Sequence, residues 1–166
     1  MKIDLVRRLI AFFVLLVAQV LILNHIHLFD MATPLLYVYF VITFHRNMPK
    51  WMILVWSFVL GLLVDIFSNT PGLAAGCMTM IAFVQPYLLE LLVPRDSVED
   101  LESSVRTLGF TKFLVLSAVL TVVYCLLFFA LEAFSFFNWL LWLERAIASA
   151  VLTLVLIFAI ESIRSK

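Results

Sequence analysis

"WMILVWSFVLGLLVDIFSNTPGLAAGCMTMIAFV", residues 51–84, is two apolar runs joined by a short polar turn. The first run ends in a carboxylate, Asp65. The turn holds Asn69, Thr70 and Pro71, and the second run opens on two glycines four apart, Gly72 and Gly76. The runs read as spans over 51–67 and 72–93, each near the ~20 residues needed to cross a hydrocarbon core. Lipid offers the backbone no hydrogen bonds, so such runs close their own bonds as helices.

Outward from this pair, the same pattern predicts spans over 5–23, 28–44, 113–131 and 139–160. Asp30, Thr33 and Pro34 crowd the start of 28–44, which makes that span tilted, shallow or partly re-entrant. The expected fold is an all-α integral membrane protein, a bundle of six short transmembrane helices in one domain over 1–166. Between spans four and five, Val98, Leu101, Val105 and Leu108 recur at helical spacing. They predict a short cytoplasmic amphipathic helix over 97–108, capped by Asp96 or Ser97 and ended by Gly109. Composition agrees with lipid as the solvent. The chain is 65% hydrophobic and 13% charged, against about 45–50% and about 25% in soluble domains. A net charge of zero gives no reason to expect nucleic acid. Cys77 and Cys125 both lie inside apolar runs, so no disulfide framework or zinc spacing is implied.

Basic residues orient the bundle. Lys2, Arg7, Arg8, Arg46, Lys50, Arg95, Arg106, Lys112, Arg164 and Lys166 are ten of the 11 basic residues, and all fall on one side of a six-span chain. Cytoplasmic loops carry the excess of Lys and Arg, so both termini are expected in the cytoplasm. The first span lacks a small-x-small cleavage site and reads as uncleaved.

No phosphate-binding glycine loop, nucleophile elbow or metal-ligand spacing is present. The expectation is no catalytic residue, no cofactor and no metal. His25 and His27 share an outer loop and read as solvated, while His45 lies on the inner side. The residues singled out are structural or partner-binding. Ser57, Gly61 and Asp65 recur at steps of four on one helix face, where small side chains let a second helix approach. Asp65 marks the membrane edge, or accepts hydrogen bonds from the next helix with Thr70 as N-cap and Pro71 as first residue. Gly72 and Gly76 form a G-x-x-x-G pair suited to close helix packing. Ala146 with Ala150, and Ser149 with Thr153, repeat that spacing in the last span. Pro86 is expected to kink its helix. Gln85 either satisfies the groups Pro86 frees or, with Glu90, meets a partner. Residues 134–142, "FSFFNWLLW", are a membrane anchor or an apolar patch for another membrane protein. Arg145, the one basic residue on the outer side, calls for an acid, either Glu132 or Asp65.

An apolar helix ending G-x-x-x-D, a polar turn and a glycine opening the next apolar helix resemble the rod shape-determining MreD family. The matching residues are Gly61, Asp65, Gly72 and the run "LAAGCMTM". Chain length and the succession of short spans are also similar. The resemblance implies a non-enzymatic scaffold of the bacterial cell-elongation machinery in the inner membrane. Its implied partners are MreC, then RodA with its transpeptidase, and MreB. Six short spans also resemble the substrate-binding subunit of energy-coupling-factor vitamin transporters. That resemblance implies a small-molecule site near the outer face.

Overall fold

A computed structural model describes residues 2–25, 32–94, 96, 103–134 and 137–166. Its α-helices are α1 (Lys2–Leu21), α2 (Val38–Ile42), α3 (Lys50–Ser68), α4 (Leu73–Leu92), α5 (Val105–Leu108), α6 (Phe110–Ala133) and α7 (Trp139–Arg164), with a 3-10 turn at Leu23–His25. No strand occurs among the described residues. Four helices, α3, α4, α6 and α7, are long and apolar enough to cross a membrane. The chain is thus a multi-pass helical membrane protein. α1 matches them in length, but its first two turns carry Lys2, Asp4, Arg7 and Arg8.

The outer surface of the long helices is apolar, and polar side chains are buried within an otherwise apolar core. Val55, Phe58, Leu62 and Ile66 on α3, and Met80, Phe83 and Tyr87 on α4, are exposed. Gln19, Ser57, Asp65, Gln85, Ser117, Thr121, Ser149, Thr153 and Glu161 are buried. Lipid solvates the first set at no cost, whereas the second must find partners within the protein.

The long helices form an open arc. α1 packs on α3, α3 on α4, α4 on α6 and α6 on α7. Inside the arc, α2 touches α1, α3, α4 and α6, and all five of its residues are buried. The arc is not closed by extensive packing of α7 on α1. Residues 33–36 bridge that gap in non-helical form. The Thr33 N–H donates to Ser149 Oγ and the Leu35 N–H to Thr153 Oγ1, each at 3.1 Å. On the other side the Leu36 N–H donates to Gln19 Oε1 (3.1 Å), and Gln19 Nε2 donates to the Pro34 carbonyl (2.9 Å).

This corrects the expected helix over 28–44. Residues 26–31 lie outside the described residues, and within 32–44 only α2 is α-helical. Hydropathy placed the segment correctly inside the bundle but misread its backbone. Thr33 lies beside Ser149, and Tyr39 reaches Glu161 twelve residues further along α7. At 1.5 Å per residue that is about 18 Å. Thr33 to Leu35 cover the first part in non-helical form; the chain then turns at Leu36 and Tyr37 into α2, with the Tyr39 N–H bonded to the Leu36 carbonyl, and the Tyr39 side chain spans the rest. Pro34 has no N–H to give a helix, and the side chains of Gln19, Ser149 and Thr153 replace the missing ladder.

The ends of the bundle differ in charge. At one end, Arg8 donates to His45 Nδ1 (2.6 Å) and to Met48 Sδ, tying α1 to the loop after α2. Lys50 Nζ lies 4.0 Å from the centre of the Tyr87 ring, and Arg106 Nε donates to the Ser165 carbonyl (2.9 Å). The amino-terminal turns, the residues after α2, α5 and the carboxyl terminus therefore share this basic end. Here the expected helix over 97–108 is also corrected. Residues 97–102 lie outside the described residues, but Ser104 is extended (φ −135°, ψ 158°) and opens a separate helix. Ser104 and Thr107 form its capping box, and Gly109, at φ +83°, ends it.

Candidate functional site

The end of α3 and the start of α4 form one unit around Asp65. α3 ends with Asn69 in the left-handed region (φ 56°, ψ 38°), a conformation asparagine tolerates better than most residues. The backbone N–H of Thr70 bonds to the Asp65 carbonyl at 3.1 Å. Pro71 and Gly72 turn the chain, with Gly72 at φ +83°. Gly72 occupies the N-cap position of α4 and has no side chain to cap with. The carboxylate of Asp65 does it instead. Its Oδ1 accepts from the Ala74 N–H (2.8 Å) and the Thr70 hydroxyl (2.9 Å), and its Oδ2 accepts from the Ala75 N–H (2.9 Å).

The expectation that Asp65 accepts hydrogen bonds from the next helix thus agrees with the geometry, and the expected cap does not. Thr70 is not the N-cap, and Pro71 is not the first helical residue. Thr70 is a donor to the acid, and α4 begins at Leu73. Asp65 is 3% exposed. The positive end of α4 and three donors offset the cost of removing its charge from water.

One turn earlier, Gly61 makes this clamp possible. A Cβ there would lie 2.6 Å from Ala75 Cα and 2.8 Å from the Ala74 carbonyl oxygen. The two backbones cross at van der Waals contact only because the side chain is absent. Ser57, one further turn back, is fully buried, and its Oγ has no partner among the described residues. The glycine pair read from the sequence behaves differently. A Cβ on Gly72 or Gly76 would meet nothing within 4 Å. Close packing inside this chain rests on Gly61 against Ala74 and Ala75, not on Gly72 and Gly76.

A second buried carboxylate went unread in the sequence. Glu161, 1% exposed near the end of α7, accepts at Oε1 from Ser104 Oγ (2.6 Å) and the Val105 N–H (3.0 Å). Its Oε2 accepts from the Tyr39 hydroxyl (2.6 Å). It joins α5 and α2 to α7 as Asp65 joins α4 to α3.

Asp65 does not pair with Arg145, because both its oxygens are taken by its own turn. Arg145 and Glu132 instead line a cavity of about 510 Å³ at the end away from the basic residues. Its wall also holds His25, Thr33, Tyr37 and Thr70. The exposed rings of Phe134, Phe137 and Trp139 lie near this end. His27 lies outside the described residues. Pro86 is buried within α4. The Gln85 amide beside it does not serve the helix, since Nε2 reaches the Phe44 carbonyl at 3.4 Å, which Ser103 Oγ also approaches (3.1 Å).

No family model, no curated protein and no solved structure matches this chain.

Proposed function

We propose that this chain is a non-enzymatic membrane scaffold of the bacterial cell-elongation machinery, of the MreD kind. In this reading it lies in the inner membrane with both termini cytoplasmic, crosses it six times counting the partly extended segment 33–44, and binds MreC. Through MreC it meets RodA, its transpeptidase and MreB. One observation carries the reading. Gly61, Asp65 and the first alanines of "LAAG", through which the sequence resembles that family, form one packed unit. That packing gives these residues a structural role, and this supports the reading. The two buried carboxylates are occupied in holding helix starts, a use that suits a scaffold. The clustering of basic residues at one end supports the orientation.

The outer cavity favours a second reading, a substrate-binding subunit of an energy-coupling-factor transporter. Its volume of about 510 Å³ falls within the range of small-molecule sites. Mass spectrometry of the complex, extracted in mild detergent, separates the two. MreC and a transpeptidase in stoichiometric amount would support the scaffold. Recovery of ATPase subunits in their place would overturn it.

A further inference from the structure

We propose that the crevice between α6 and α7 at the far end binds a phospholipid whose head carries both a phosphate and a primary ammonium, as in phosphatidylethanolamine. α6 packs on α7. Where α6 ends and α7 begins, a cavity of about 390 Å³ opens between them, and Glu132, Asn138 and Arg145 line it. Further along the same helix pair lies a groove of about 120 Å³, between Val122 and Leu126 of α6 and Ala150 and Leu154 of α7. The lining of the groove is wholly apolar.

The cavity offers one charge of each sign. Among the described residues no hydrogen bond or ion pair engages Glu132 or Arg145, so the two share a cavity without bridging. A ligand that complements them brings an anion to Arg145 and a cation to Glu132. The guanidinium fork matches phosphate geometry. Glu132 is the last residue but one of α6, and that last turn holds no basic residue. Its carboxylate therefore adds to the negative end of the helix dipole, where a cation is stabilised, and a primary ammonium brings three N–H donors to it.

Polarity along the crevice selects a lipid over a free zwitterion. The exposed rings of Phe134, Phe137 and Trp139 place the charged cavity at the level of the membrane interface. Ile147 and Val151, which border the groove, are exposed, so the groove opens to lipid. From Glu132 to Val122 is ten residues of α6, about 15 Å. That is half of a ~30 Å hydrocarbon core, the depth of one leaflet. An acyl chain below the head fills the groove, whereas a helix about 10 Å across is too wide for it. A free zwitterion would satisfy the charges and leave the groove empty.

The test takes the full chain purified in a neutral detergent. Native mass spectra and melting temperatures are recorded with phosphatidylethanolamine, with phosphatidylglycerol of the same acyl chains, or with glycerophosphoethanolamine, which is the head without the chains. Phosphatidylethanolamine is expected to saturate at one tightly held lipid per chain and to raise the melting temperature by several degrees. The other two should bind at least tenfold more weakly. Glu132→Gln should weaken phosphatidylethanolamine at least tenfold and leave phosphatidylglycerol unchanged, while Arg145→Gln should weaken both lipids. Glu144→Gln, at an exposed acid outside both linings, should change neither. Glu132 and Arg145 are exposed, so each single variant should fold, and its melting temperature without lipid checks that. Equal binding of phosphatidylglycerol would overturn the recognition of the ammonium. Equal binding of glycerophosphoethanolamine would overturn the lipid as its source. Phosphatidylethanolamine binding that survives Glu132→Gln as it survives Glu144→Gln would overturn the site.

Discussion

Asp65 and Glu161 are both buried carboxylates near the end of one helix that hold the start of another, yet they differ in what an amide could replace. Asp65 faces a backbone N–H with each oxygen. Asn offers one oxygen and one NH₂ group, and the NH₂ would point donor against donor at Ala74 or Ala75. Glu161 gives one oxygen to Ser104 and Val105 and the other to the Tyr39 hydroxyl. A hydroxyl can turn and accept, a backbone N–H cannot. Asp65→Asn should therefore cost on the order of 1–3 kcal/mol, and Glu161→Gln clearly less, read as melting temperatures in one detergent. Equal losses would show that charge, not donor geometry, decides. Gly61 gives a sharper contrast. Gly61→Ala drives a methyl into the Ala75 backbone and should cost about 1–3 kcal/mol as overpacking. Gly76→Ala enters open space, and in a helix alanine is the better former. It should fold at least as well as the parent. The sequence revealed Asp65 because it ends a face of small residues before a turn. It hid Glu161, a single acid at an apolar helix's end, because its partners lie 122 and 57 residues away.

Among elements, the segment 33–44 shows what a membrane interior demands of irregular backbone. An unsatisfied N–H or C=O costs several kcal/mol in lipid, so each neighbour supplying an acceptor matters in proportion to its burial and number of bonds. Gln19 serves two backbone groups, the Pro34 carbonyl and the Leu36 N–H, deep in the core. Thr153 serves one, the Leu35 N–H. Ser149 serves the Thr33 N–H, which is only partly buried and lies on the cavity wall, where water can replace the hydroxyl. The expected order of destabilisation is Gln19→Leu, then Thr153→Val, then Ser149→Ala, at about 1–3 kcal/mol for each buried group left bare. Hydrogen exchange at Leu35 and Leu36 should rise in the same order. A reversed order would mean that residues 33–36 hold their non-helical form by packing alone. The long helices could be placed from hydropathy to within a few residues, because burial in lipid is a local property of the run. This segment and the Ser104 break could not. Hydropathy reports where a chain prefers to be, but not that its acceptors sit on a helix more than a hundred residues away.

At the scale of the molecule, an open arc of long helices around the buried segment 33–44, part non-helical and part α2, fixes the path of the chain. α1 runs from the basic end to the far end, and segment 33–44 returns beside α7. The basic end then gathers Arg8, His45, Arg46, Lys50, Arg106 and Arg164 through contacts made across the whole sequence. A bundle with its positive charge at one end is oriented by that charge, so this end should face the cytoplasm. Cysteine labelling tests both the crossing of segment 33–44 and the orientation. The native Cys77 and Cys125 are each 1% exposed, so they should stay silent towards a membrane-impermeant maleimide in intact cells. Asn47 and Lys166 at the basic end, and Asn138 at the far end, are exposed and outside the clamps. The N138C chain should label from outside. The N47C and K166C chains should label only after the membrane is opened. His25, exposed in the turn after α1, carries the decisive comparison. If segment 33–44 stayed on one side as a shallow insertion, positions 25 and 47 would label from the same side. Labelling of the H25C and N47C chains from one side would remove that crossing, and labelling of positions 47 and 166 from outside with position 138 protected would reverse the orientation on which the proposed partners depend.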